Sequence, residues 1–275
     1  MKKTIPFLAG VCLLFLALVL FYSCRKEIDL RSDLKNGNAE LNACIITRMD
    51  YPTTDRDPPY YYQSTFTYNA KGDPLFVTPT FIGTGSPQWA FYYDKKGRLI
   101  TFAGIYSNGG FEFWHNYFYD RFDRIVGDSL YHFGDIGQRG KAEGKGFSRI
   151  SYDPLNRITE EKITFINTRF NTADSSVAHY AYNAAGNFSF NYIIDSMADN
   201  KFNFVLTNKV WRFISRDYSI NNHQKETSYN HYGFPTLFTN LVMVDRALEL
   251  FVPGYSTGGV KIEYDCSGAH GAVHQ

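Results

Sequence analysis

The stretch Phe91-Tyr92-Tyr93-Asp94-Lys95-Lys96-Gly97-Arg98-Leu99 decides the fold. Aromatic residues lead up to an acid, and three positions after it a glycine precedes a new apolar run. A carboxylate at the first turn position accepts a hydrogen bond from the backbone two residues on, and the glycine enters the left-handed region without steric cost. Together they predict a type I turn closed by a left-handed residue, a common short connection in a β-hairpin. The pattern then returns along the chain. Phe66-Thr67-Tyr68-Asn69 leads to Gly72, Tyr117-Phe118-Tyr119-Asp120 to Asp123, and Tyr180-Ala181-Tyr182-Asn183 to Gly186. Reduced copies start at Tyr152-Asp153, Tyr229-Asn230 and Tyr264-Asp265. The seven tyrosines stand 25, 26, 33, 30, 47 and 35 residues apart, an irregularity that fits hairpins of varying length better than a strict solenoid.

Before each turn the aromatics alternate as they do on a strand with one greasy face. Trp89, Phe91 and Tyr93 point one way, and Phe111, Phe113, His115, Tyr117 and Tyr119 do likewise. About seven corners predict an all-β fold, an antiparallel meander of about 12–16 strands in a twisted or curled sheet. Two segments interrupt the pattern. Residues 134–146 carry five glycines with Arg139, Lys141 and Lys145 and read as a mobile basic loop, and in 240–251 a short helix competes with a strand.

Tyr93-Asp94-Lys95-Lys96-Gly97-Arg98-Leu99-Ile100 and Tyr152-Asp153-Pro154-Leu155-Asn156-Arg157-Ile158-Thr159 resemble the Tyr-Asp unit of the YD/Rhs repeat family. The similarity runs from about Tyr68 to Gly268. Large members of that family build a spiralling β-shell around a toxic domain. This chain has too few repeats for that, and is more similar to small YD-repeat lipoproteins of the Bacteroidetes cell envelope, a likeness that implies a shape and no activity.

The 275 residues are 44% hydrophobic, 20% charged and 17% aromatic, which excludes a chain disordered throughout. Twenty-eight Lys and Arg against 27 Asp and Glu give +1, and removing the first 23 residues, which hold Lys2 and Lys3, leaves −1. Near-neutrality argues against nucleic acid as the main partner. Lys2 and Lys3 precede an apolar run over 5–22, followed by Ser23-Cys24-Arg25-Lys26, the layout of an export signal. Ser23-Cys24 resembles the cleavage box of bacterial lipoproteins, which implies acylation of Cys24, an anchor in the outer membrane, and a periplasmic or surface-facing protein. The expected organisation is a signal peptide over 1–23, the lipidated cysteine and a polar tether over 24–43, and one β domain over 44–275.

Of four cysteines, Cys12 lies in the signal and Cys24 is taken by the anchor. Cys44 and Cys266 remain, and either they pair as a disulfide or they stay two buried thiols. Chemistry is sparse. Gly254-Tyr255-Ser256-Thr257-Gly258 has the spacing of a hydrolase nucleophile elbow, but the alternating Val260 to Tyr264 that follows reads as a strand, not a helix. Cys266, His270 and His274 stand four apart, yet Gly268 and Gly271 oppose the helix that would gather them round a metal. Gly140-Lys141 lacks the flanking residues of a phosphate-binding loop. Glu160 and Glu161 are adjacent on a strand and point to opposite faces, so they read as solvated or edge charges, and His115 and His179 read as structural histidines. No cofactor and no catalytic residue is expected.

The binding candidate is aromatic. Tyr60, Tyr61 and Tyr62, beside Tyr51 and three prolines, offer a rigid edge for stacking against sugar rings, and core packing would use the same residues. The expectation is a membrane-anchored lipoprotein with a non-catalytic binding or scaffold domain for a glycan or an envelope protein. The alternatives are a hydrolase of envelope glycans or esters, with Ser256 as its main support, and a lipid carrier.

Overall fold

The computed structural model describes residues 44–52, 61–189, 198–222, 227–239, 251 and 259–267. Thirteen antiparallel strands form one sheet. They are β1 (Ile45–Pro52), β2 (Tyr61–Tyr68), β3 (Pro74–Pro79), β4 (Gln88–Tyr93), β5 (Leu99–Ile105), β6 (Gly110–Tyr119) and β7 (Ile125–Asp135), then β8 (Gly144–Tyr152), β9 (Ile158–Asn167), β10 (Thr172–His179), β13 (Thr227–Tyr229), β14 (Pro235–Phe238) and β15 (Val260–Asp265). Each of β1 to β10 lies beside its sequence neighbours, as hairpins require. The C-terminal strands return to the other side of β1, in the order β10 through β1 and then β15, β14, β13. The sheet is not closed into a barrel, since β10 and β13 remain its two ends. β11 (Ala181–Tyr182) and β12 (Phe188–Ser189) make a separate hairpin.

The corners show why this sequence curls. Asp153 Oδ1 accepts from the Leu155 and Arg157 amides at 2.9 and 3.0 Å. Asn69, Asp94, Asp120 and Asn230 do the same at their own turns. The residue three positions after the acid or amide has φ between +57° and +86° at Gly72, Gly97, Asp123, Asn156, Gly186 and Gly233. Five of these hairpins also slip register by one residue at the tyrosine, so that Tyr93 pairs with Leu99 while Tyr92 pairs with Thr101 and Ile100 bulges out. Tyr68, Tyr119, Tyr152 and Tyr229 repeat that bulge at one end of the sheet. A bulge bends its strand and raises local twist, so a row of them bends the sheet as a whole.

The repeat tyrosines then tie each hairpin to the one before. Tyr93 Oη donates to the Pro74 carbonyl at 2.8 Å, Tyr119 to Leu99 at 2.7 Å, and Tyr152 to Ile125 at 2.6 Å. In parallel, Arg98, Arg124 and Arg157 each pair with the acid of their own turn and stack on the tyrosine of the next repeat, at 4.6, 5.2 and 4.3 Å from its ring centroid. Asp153→Ala removes two backbone acceptor bonds and the Arg157 pair at once. It is expected to cost about 1–2 kcal/mol, as loss of a helix cap does, read as a lower denaturant midpoint with the slope unchanged.

The inner face of the sheet is covered by residues 202–222, which hold a 3-10 turn (Phe204–Thr207) and the helix α1 (Lys209–Ser215). Asn203 and Asn208 cap these two, accepting from the Val205 and Val210 amides. Trp211 is fully buried, with Phe66, Phe91 and Phe251 edge-on to it at 5.6, 5.6 and 5.3 Å. The outer face carries a smaller core of Ala103, Phe111, Trp114 and Ala142.

Two sequence expectations need correction here. Residues 134–146 are not a loose loop: β7 runs to Asp135, a 3-10 turn (Ile136–Lys141) follows, and Ala142 is buried against the outer core while Arg139 lies 4.7 Å over the Trp114 ring. Phe111 does not share a face with Phe113, His115 and Tyr117. A register slip at Gly104/Ile105 turns it onto the outer face beside Trp114, because one extra residue reverses a period-two pattern.

Cys44 and Cys266 are joined by a disulfide, their Cα atoms 4.1 Å apart. They sit one step beyond the Ile45–Asp265 pair, so the bond fastens β1 to β15, the first and last described strands of the chain.

Candidate functional site

Three groups of side chains stand out from packing. The first is on the outer face. Tyr92, Thr101, Asn116, Ser129 and Phe147 are successive register partners across β4 to β8, hence one row on one face. Four strand spacings make that row about 19 Å long. Tyr92 and Phe147 at its ends are 42% and 47% exposed, and Phe118, two residues from Asn116 on the same face, is 52% exposed. Between them the row is polar. Asn116 Oδ1 accepts from Thr101 Oγ1 and from Trp114 Nε1, both at 3.0 Å, which fixes the amide and turns its Nδ2 donors away from both neighbours. Tyr92 stacks on Trp114 with centroids 6.1 Å apart. Exposed rings flanking an oriented amide combine flat apolar faces for stacking with hydrogen-bond donors beside them.

The second group is a cleft of about 410 Å³ at the corner end, between the turns of 94–98, 120–124 and 153–157 and the start of α1. Tyr93, Tyr119 and Tyr152 line it with Phe122, whose ring is 63% exposed. Lys96, Arg98, Arg124 and Lys209 give it four cations against Asp123. Arg98 reaches both Asp94 and Asp123, at 2.7 and 2.8 Å.

The third group is on the inner face, across β6 to β9. His115 Nδ1 meets Asp128 Oδ2, Ser148 Oγ donates to Asp128 Oδ1, and His115 lies between the rings of Phe102 and Tyr117. Burial pushes the Asp128 carboxyl up, but the hydrogen bond and charge of His115 outweigh it and hold it below the ordinary value. Burial pushes the neighbouring His132 down. Nucleophilic catalysis places the histidine between hydroxyl and acid, so that it takes the hydroxyl proton. Here the acid lies between, and Ser148 is bound to a carboxylate that is already ionised.

Beside this cluster, Glu161 meets Arg216 through two bonds, Nη2 to Oε1 at 2.6 Å and Nε to Oε2 at 3.1 Å. This corrects the reading of Glu161 as a solvated charge. Glu160 does face outward, beside the exposed His179 at 3.5 Å, which corrects the reading of His179 as a structural histidine.

Of the remaining sequence candidates, Cys24, Tyr60, Ser256, His270 and His274 lie outside the described residues, as does the segment 240–250. Tyr61 is placed by its backbone alone, in β2. Tyr62 stacks on the buried Tyr51, centroids 5.5 Å apart and planes 13° from parallel. Among the described residues no three His, Cys, Asp or Glu side chains gather as a metal would need. Sequence reading missed the outer row, because its polar members carry no motif, and the cleft, because Lys209 comes from a segment that belongs to no repeat.

No protein-family model matches this chain, and no curated protein matches it.

Proposed function

We propose that this protein is an envelope lipoprotein, anchored through Cys24, whose β domain is a non-catalytic binding module for an envelope glycan. The observation that carries the binding reading is the outer row, in which exposed Tyr92, Phe118 and Phe147 surround the oriented Asn116 amide. The bonds of Asp128 support a structural rather than catalytic use of the inner polar cluster. The corner geometry, repeated in register, supports the likeness to YD-repeat lipoproteins.

The test uses the full chain, purified in detergent from its membrane and applied to envelope polysaccharides. Wild type is expected to retain a polysaccharide that Tyr92→Ala/Phe147→Ala loses by tenfold or more while remaining fully folded at the assay temperature, since stacking one ring is worth about 1 kcal/mol or more. Equal retention by the variant sinks the outer row as the site. Intact mass of the same preparation checks the anchor: a chain starting at Cys24 plus acyl groups is expected, and an unacylated full-length mass contradicts it.

A further inference from the structure

The corner end of the sheet is electrostatically unlike the rest of the molecule. The turns over 69–73, 94–98, 120–124 and 153–157, with Lys209, hold eight Lys and Arg against five Asp. Without its first 23 residues the whole chain is at −1, so the remainder carries an excess of acids and the positive charge is concentrated at this end. The cause is local. The turn fold needs its acid only at the first position and its left-handed residue at the fourth, and the free positions between are filled with Lys71, Lys95, Lys96 and Arg121.

The cleft opens into this field. Its arginines are held by the corner acids, which makes them a fixed frame, while the ammonium of Lys96 has no such partner among the described residues and Lys209 enters from the facing helix. Clefts with low-dielectric walls focus the field of the charges that line them. Aromatic walls add a preference for a ligand with a flat apolar face, and Phe122 presents most of its ring. We infer that this cleft is a binding site for a saccharide carrying a carboxylate or phosphate group, its anion between Lys96 and Lys209 and its ring against Phe122. A concave, ring-lined site of this size suits a sugar residue better than a flat lipid surface. The site is separate from the outer row, so either reading can fail without the other.

Calorimetric titration of the full chain in detergent at low salt decides it, with glucuronic acid, glucose 1-phosphate, glucose and inorganic phosphate as ligands and phosphatidylglycerol vesicles as the lipid arm. Saturable binding of at least one acidic sugar is expected, with glucose at least tenfold weaker and affinity falling as salt rises. Lys96→Glu/Lys209→Glu and, separately, Phe122→Ala are each expected to weaken that binding tenfold or more, with thermal midpoints unchanged because all three side chains are exposed. The inference is overturned if glucose binds as well as the acids, or if either variant binds like wild type. It is also overturned if inorganic phosphate binds as tightly as the sugars, or if vesicles alone are bound.

Discussion

Reduction of the Cys44–Cys266 disulfide is expected to lower the melting temperature of the full chain by roughly 10–20 °C. The bond closes a loop of 222 residues, and in the chain-entropy model a loop of that length removes roughly 5 kcal/mol of freedom from the unfolded chain. For a domain of this size each kcal/mol moves the midpoint by about 2–4 °C. Topology adds a local reason for a large effect. The sheet runs in sequence order from β1 to β10, and the described C-terminal strands join it through the β1–β15 pair, next to which the disulfide lies. Without the bond that pair must close the whole chain on strand hydrogen bonds and on Ile46, Met49, Val260 and Ile262, all almost fully buried. Thermal unfolding followed by far-UV circular dichroism, with and without reductant and for Cys44→Ser/Cys266→Ser, measures this. Coincident melting of oxidised and reduced protein contradicts it.

The hairpins were legible because their signal is local. An acid or amide, a left-handed residue three positions on and a flanking tyrosine specify a corner within five residues, so the turns at Tyr68, Tyr93, Tyr119 and Tyr152 could be placed to the residue. What lies against the sheet was not legible, because nothing periodic announces it. The longest gap between repeat tyrosines, 47 residues from Tyr182 to Tyr229, holds the element that covers the inner face. Within it Asn208-Lys209-Val210-Trp211-Arg212-Phe213-Ile214 reads in hindsight as an N-cap followed by apolar residues at helical spacing. The binding surfaces fall between these extremes. The cleft joins residues from three turns to Lys209, Val210 and Phe213 of α1, and the outer row joins five strands through register alone; either needs the bulge positions, which fix which side chains share a face.

The second large effect lies at the junction of α1 with the sheet. Arg216, the C-terminal cap of the helix, has φ +57° and turns its guanidinium back over Phe213 to meet Glu161 of β9. Tyr180 Oη adds a bond to the same carboxylate at 3.3 Å. Both ionic side chains are nearly buried, at 13% and 10% exposure. Burial pushes the Glu161 carboxyl up, but the charge and hydrogen bonds of Arg216 outweigh it, and the net result lies below the ordinary glutamate value. Removing one member leaves the other charged and uncompensated away from water, so Glu161→Gln is expected to destabilise by about 3–5 kcal/mol. Replacing both, as Glu161→Leu/Arg216→Leu, removes the charge along with its partner and is expected to recover most of that loss. The acid limb carries the same information. A carboxyl whose native pKa is depressed stabilises fully above its unfolded value, and that stability disappears as pH falls through the lower native value. Asp128, depressed by His115, behaves in the same sense. Wild type is therefore expected to lose stability steadily below the ordinary carboxylate range, and Glu161→Gln to show a shallower acid slope, having lost one of the groups that bind protons on unfolding. Urea midpoints across the acid range measure both. A midpoint of Glu161→Gln equal to that of wild type, or an acid slope unchanged by that substitution, would mean that α1 is held to the sheet by the packing of Trp211 and Phe213 and that the ion pair only accompanies it.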